Sequence, residues 1–275
     1  MKKEITLMDE LAIQVKDTTR AFSYTNKKFG QYYGETNSYF KDGWQGWTLK
    51  EQRVFNDYAF ETDGQVLSRR TSTAKVYPHE LLREYTDGTA EKFFFADSLD
   101  LIIIELNSKS GSDITFRLDG LLGKDDFILE NNVVRHDLSQ AIPESFLFIT
   151  SDKKIETAGK EKGAFRLKIP GEKSAKIFLY VSGKAPDFKY ITDNSESLIA
   201  KKEKRIENLL SSSYVKTNNK EFDKAMMWAK ISLDALITEQ DTKGIFAGLP
   251  WFNNYWGRDT FISLPGATFV TGNYK

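Results

Sequence analysis

The chain has no cysteine and only two histidines, His79 and His136, in 275 residues. That excludes a thiol nucleophile, a disulfide framework and a zinc site built from Cys and His. A Ser-His-Asp triad has almost no material to draw on, and each histidine is expected to be a surface residue or a satisfied core residue. An excess of one charge is also missing, since 39 basic residues balance 39 acidic ones. No global field therefore selects nucleic acid or an anionic membrane, whereas a neutral glycan is compatible with the balance. No apolar run approaches the roughly 20 residues of a membrane span. Met1-Lys2-Lys3-Glu4-Ile5 is basic, but Asp9, Glu10, Lys16 and Asp17 interrupt any signal-like stretch behind it, so a soluble cytoplasmic protein is expected. Glycine-rich phosphate loops, Rossmann fingerprints, internal repeats and low-complexity segments are absent too, and no metal or organic cofactor is expected.

What is present, up to about residue 190, is a series of short apolar or alternating runs broken by turn residues, the pattern of an antiparallel β-sandwich. Lys92–Ala96, Leu101–Leu106, Ile114–Leu118, Phe146–Thr150, Ala164–Ile169 and Ala175–Val181 read as strands. Asp63-Gly64, Asp87-Gly88, Ser110–Asp113, Asp119-Gly120 and Pro170-Gly171 carry turn chemistry, with Gly64 and Gly88 placed where a hairpin requires positive φ.

The pattern then changes period. Leu198-Ile199 through Leu209-Leu210 has helical spacing inside a charged frame, Lys201-Lys202-Glu203-Lys204-Arg205, whose interleaved signs predict a solvated face on a linker helix. A second helix starts at an Asn218 or Asn219 cap, and Phe222, Ala225, Met226, Ala229, Leu233, Leu236 and Ile237 mark its buried face, with Met226 and Met227 as core filler. Asp259 stands where it could cap a third helix through Phe261, Ile262, Leu264 and Phe269, kinked at Pro265-Gly266.

Between the second and third helices runs Gly244-Ile-Phe-Ala-Gly-Leu-Pro-Trp-Phe-Asn-Asn-Tyr-Trp-Gly-Arg-Asp-Thr260, which concentrates indoles, amides and an Arg-Asp pair. A hexose has a C–H face that stacks on Trp and a rim of hydroxyls that donate and accept hydrogen bonds. Arg258 donates, Asp259 accepts, and Asn253 and Asn254 do both. With Trp251 and Trp256 as walls, these six residues form the candidate substrate-binding set. The bland alternative is a surface aromatic turn with an ordinary ion pair.

The run from Gly244 to Gly266, together with the helix Ala225–Leu236 before it, resembles the prokaryotic glycogen debranching enzyme family, the amylo-α-1,6-glucosidases. Tyr77-Pro78-His79-Glu80-Leu81-Leu82-Arg83-Glu84-Tyr85-Thr86-Asp87-Gly88-Thr89 resembles that family's leading domain more weakly. The resemblance implies a mainly β architecture: a sandwich over 1–190, a linker helix over 191–217 and, over 218–275, the first helices of a truncated (α/α)6 barrel. It implies an α-glucan such as glycogen, branched dextrin or maltooligosaccharide as partner, with neither nucleic acid nor membrane. By analogy with related glucoamylases, Arg258 and Asp259 hold the terminal glucose. It also implies that the general acid and base lie on later barrel loops, so that this chain carries no catalytic residue. A non-catalytic sandwich module that binds glycan or a partner, and a different (α/α)6 glycosidase of trehalose type, are the alternatives.

Two other constellations bear on glycoside chemistry. Inversion needs two carboxyl groups about 6.5 to 9.5 Å apart. Asp125-Asp126 and Asp97 with Asp100 are the candidate acids, although turn or cap duty is the commoner fate of Asp at strand ends. Trp44-Gln45-Gly46-Trp47, near Phe55, Tyr58 and Phe60, reads either as a second glycan platform or as core packing.

Overall fold

The computed structural model describes residues 6–271 apart from 42 and 162. The basic Met1–Ile5 opening and the last four residues of the expected barrel segment lie outside the described residues. The chain is mainly β, with every strand pair antiparallel among the described residues. A nine-stranded sheet runs in the order Ile13–Val15, Thr73–Val76, Glu80–Glu84, Ala90–Phe95, Leu101–Asn107, Ser174–Ser182, Phe146–Ser151, Val133–Asp137, Phe127–Glu130. Facing it are a five-stranded sheet that includes Asp57–Thr62, Ile114–Asp119 and Ala164–Ile169, and a four-stranded meander from Ala21–Thr25 to Gln52–Phe55. One buried cluster joins the three sheets, and Tyr58 stacks on Phe93 across the interface at 5.8 Å between ring centroids.

All six runs read from the sequence are strands. Leu101–Ile104 is apolar at every position because both of its faces are covered. Ile102 and Ile104 point into the sandwich with Phe93 and Phe95, while Leu101 and Ile103 join Phe94 and Phe178 against Ile191 and Leu198 on the outer face. Gly64 and Gly88 adopt φ of +73° and +82°, as their hairpins require. The Trp44–Trp47 cluster resolves toward core packing: Trp47, Phe55, Tyr58 and Phe60 are buried, whereas Trp44 remains 52% exposed.

Five α-helices are described: α1 (Leu7–Leu11), α2 (Phe188–Asp193), α3 (Ser195–Ser212), α4 (Lys220–Leu236) and α5 (Gly257–Leu264). α1 is a single turn fixed by a capping box, in which the Thr6 side chain accepts from the Asp9 amide and Asp9 answers to the Thr6 backbone. Asn219 caps α4 by accepting from the amides of Glu221 and Phe222.

The helices differ from the sequence reading in three ways. The charged stretch of α3 is not wholly solvated, for Lys202 is 4% exposed. Leu198 four residues before it and Ile206 four after lie on the same packed face, so helical geometry carries the lysine inward. α4 buries a different face from the one expected. Trp228 donates its indole N–H to Leu11 O at 2.9 Å, Lys224 reaches Ala12 O at 2.8 Å, and Ile231 packs with Met8, Leu11, Ile206 and Leu210. Phe222, Ala225, Met226 and Ala229 are consequently exposed. Only Leu233, Leu236 and Ile237 of the expected stripe are packed, against Ile245 and Ala267. Finally, Asp259 is not the cap of α5: that position is Trp256, and Asp259 sits in the first turn. At Pro265 the helix passes into a π turn, Pro265–Val270.

Both histidines are core residues. His136 bonds Leu122 O through Nε2 and has Asp126 3.1 Å from Nδ1. His79 is buried with Nδ1 unpaired and Nε2 3.7 Å from Glu80.

Candidate functional site

The run Gly244–Thr260 folds as a hairpin, Lys243–Gly248 with Phe252–Tyr255, extended by Ile237–Glu239 into a three-stranded sheet and continued into α5. Tyr255 fixes the hairpin from its inner face. Its hydroxyl donates to Thr238 O at 2.9 Å and its ring packs on Phe246 at 5.7 Å. Gly244 makes this fit possible, since a Cβ there would stand 2.5 Å from the Tyr255 ring. Thr260 Oγ1 donates to Ile245 O, which ties the first turn of α5 to the same strand.

Strand alternation then turns the other side chains outward. Trp251 lies in the hairpin turn and is 53% exposed; Phe252 and Trp256 are similarly open. Phe252 and Trp256 meet edge to face at 6.2 Å, and the Trp256 indole N–H donates to Asn254 Oδ1. Asn253 is half-buried on the alternate side of the strand. Arg258, at 76% side-chain exposure, donates to Asp259 Oδ2 at 3.4 Å. The structure thus joins Asn254 to Trp256 and Arg258 to Asp259 on one open hairpin–helix surface, with Trp251 at its turn. An exposed pair of this length is worth about 0 to 1 kcal/mol, so exchanging it for sugar hydroxyls costs little.

The remaining candidate acids have other partners. Asp125 pairs with Lys160 and Asp126 with His136. Asp100 accepts from Asn26 at 2.6 Å, and burial pushes its carboxyl above the usual range. Asp97 belongs to a charge cluster that sequence reasoning missed. Asp97 from the sandwich, Lys202 and Arg205 from α3, Asp234 from α4 and Lys27 from the meander converge. Arg205 spans Asp97 at 2.6 Å and Asp234 at 2.7 Å, Lys202 lies 3.2 Å from Asp97, and Lys27 lies 3.3 Å from Asp234. Burial alone would raise the Asp97 carboxyl, but Lys202 and Arg205 overrule it and hold the group low. The one available sequence signal was the helical spacing of Lys202 between Leu198 and Ile206. Among the described residues no group of three His, Cys, Asp or Glu side chains could hold a metal ion, and no helix is long and apolar enough to cross a membrane.

With this geometry in hand, comparison with known proteins is informative for the C-terminal third. Residues 196–275 match the amylo-alpha-1,6-glucosidase family model. The match takes in α3, the charge cluster's Lys202, Arg205 and Asp234, and the whole hairpin–helix surface. Comparison with curated proteins gives no match. Among solved structures, an inverting mannosidase of family GH92 from Bacteroides thetaiotaomicron is similar in fold, with a TM-score of 0.53 at 14% identity over 77% of this chain and 36% of that one. A GH92 alpha-mannosidase from the same organism gives 0.46 at 11% identity over 70% and 34% of the two chains. A heparinase III gene product gives 0.43 at 12% over 63% and 36%. This chain therefore spans 36% of the length of the first of these structures.

Proposed function

We propose that the chain forms the N-terminal part of a glycoside hydrolase of the amylo-α-1,6-glucosidase type, acting on glycogen-like α-glucans, and that its hairpin–helix surface receives a terminal glucosyl unit. The observation that carries this reading is the placement of an exposed, loosely held Arg258–Asp259 pair two residues beyond the open Trp256 indole, on a scaffold fixed by Tyr255, within the segment that matches the glucosidase family. Arg258 donates to sugar hydroxyls, Asp259 accepts from them, Asn254 serves either role while Asn253, on the inner side of the strand, does not reach the ring, and Trp251 and Trp256 present flat faces to the C–H side of the ring. The reaction is single displacement with inversion: an acid protonates the glycosidic oxygen while a base activates water on the opposite face of the sugar. Both groups belong to later barrel elements, outside this chain, and the sandwich braces the barrel's rim.

Titration of the chain with maltotriose and branched dextrin, followed by calorimetry, tests the site. Arg258→Ala and Asp259→Ala should each weaken binding by about tenfold or more, because a hydrogen bond to a charged group is worth about 1.5 to 3 kcal/mol. Unchanged affinity in both variants would refute the assignment. Release of glucose from branched dextrin by this chain would contradict the placement of the acid and base elsewhere.

A further inference from the structure

A cavity of about 590 Å³ lies between the meander of the sandwich and helices α3 and α4, within the range of about 300 to 1,000 Å³ usual for small-molecule sites. Its walls are apolar and aromatic, with Phe22 and Tyr24 on the sandwich side and Trp228 and Ile231 on α4. Its charged lining is one-sided: Arg20, Lys27, Lys202 and Arg205 stand against the single carboxylate of Asp234. Internal pairing does not restore the balance. Lys27, Lys202 and Arg205 share only Asp97 and Asp234, which leaves one positive charge over. Arg20 adds a second, because its guanidinium has no hydrogen bond or ion pair among the described residues. Burial also lowers both lysine ammonium groups, Lys27 to about 8, against the pull of their carboxylate partners.

We propose that this cavity binds a small organic anion, an oxyanion head carried on a ring. The head would sit at the Lys27–Arg205 end of the cavity, where one positive charge is left over, with Arg20 adding a longer-range field from the other end of the strand Ala21–Thr25, and the ring would lie against Trp228. Gly248 and Leu249 form part of the rim. They come from the hairpin whose turn carries Trp251, so an occupant would contact the strand that positions the glucan-facing residues.

The test is calorimetric titration at low ionic strength with phenyl phosphate and benzoate, using inorganic phosphate and phenol as half-ligands. Either ring-bearing anion should bind about tenfold more tightly than its halves, since burying a ring contributes more than the roughly 1.4 kcal/mol a tenfold change requires. The preferred head, phosphate or carboxylate, is read from the two arms. Lys27→Ala should weaken binding about fivefold, as expected for the loss of one partly screened charge. Ser232→Trp, at an exposed lining position, should abolish binding by filling the mouth. Circular dichroism checks that both variants remain folded. If neither ring-bearing anion binds more tightly than phosphate, or if both folded variants bind as the parent does, the proposal is wrong. Glucan affinity should be unchanged in Lys27→Ala, so this proposal and the glucan reading fail separately.

Discussion

His79 shows how much a single buried side chain can impose on the chain. Burial, followed by the positive charges of Lys202 and Lys92, pushes its imidazole from an ordinary 6.5 down to about 4. The unfolded chain therefore takes up a proton before the folded one does, and stability must fall as pH drops from about 6.5 to about 4, then stay level above that window. The limit is about 3 kcal/mol at 1.36 kcal/mol per unit. Carboxylates add their own acid dependence, so the informative quantity is the difference from a variant. His79→Leu removes the titrating group and the unpaired Nδ1, and should lose less stability than the parent between pH 7 and pH 5 in urea titrations. Equal losses would show that His79 is protonated at little cost. That a histidine stands at position 79 is plain from the sequence; that it lies under two lysines is not, because Lys92 and Lys202 approach it only once the sheet and α3 have assembled. The same holds for the Arg83–Glu91 pair, which is sealed by Tyr58 and Tyr85 inside the sandwich.

Among the secondary-structure elements, the strands were legible and the faces of the helices were not. A buried strand advertises itself locally, as Ile102-Ile103-Ile104 does, because both of its sides are apolar. α4 carries apolar residues on two faces, Phe222, Ala225, Met226 and Ala229 on one, Met227, Trp228 and Ile231 on the other, and periodicity alone cannot choose between them. The choice is made by α1, more than 200 residues earlier, whose last carbonyls accept from Trp228 and Lys224. Truncations on the two faces should consequently differ. Ile231→Ala, in the cluster with Met8 and Leu11, should cost about 2 to 5 kcal/mol, whereas Met226→Ala, at 43% exposure, should cost less than about 1 kcal/mol. Urea midpoints measure both, and the reverse ranking would restore the face expected from periodicity. The cap follows the same logic at smaller scale: Asn219→Ala frees the amides of Glu221 and Phe222 and should cost about 1 kcal/mol. At the candidate site the residue types were legible in the sequence, but not the hairpin that presents them, since the hold of Tyr255 on Thr238 depends on a third strand starting at Ile237.

For the whole molecule, the question is what joins the sandwich to the helices that carry the hairpin. Much of the apolar contact is modest, one small cluster under α2 and α3 and another between α1, α3 and α4, beside a sandwich core that draws on three sheets. The charge cluster supplies a further joint. Asp97 is its only carboxylate from the sandwich, and it is held by Lys202 and Arg205, both on α3. Asp97→Ala leaves Lys202 almost fully buried and without its carboxylate, keeping the carbonyls of Thr25 and Phe95 and the rings of Tyr24 and Phe94 as neighbours. Breaking a fully buried ion pair costs about 3 to 5 kcal/mol. Arg205 is one-third exposed and retains Asp234, so about 2 to 3 kcal/mol is expected here after solvent screening. The loss should be local. Hydrogen exchange followed by mass spectrometry should show faster exchange in α3 and α4, with the strands Ala90–Phe95 and Leu101–Asn107 protected as before, because the sandwich core does not run through Asp97. If exchange instead quickened evenly across both parts, the sandwich and helices would be a single cooperative unit, and the cluster would be one contact among many within it.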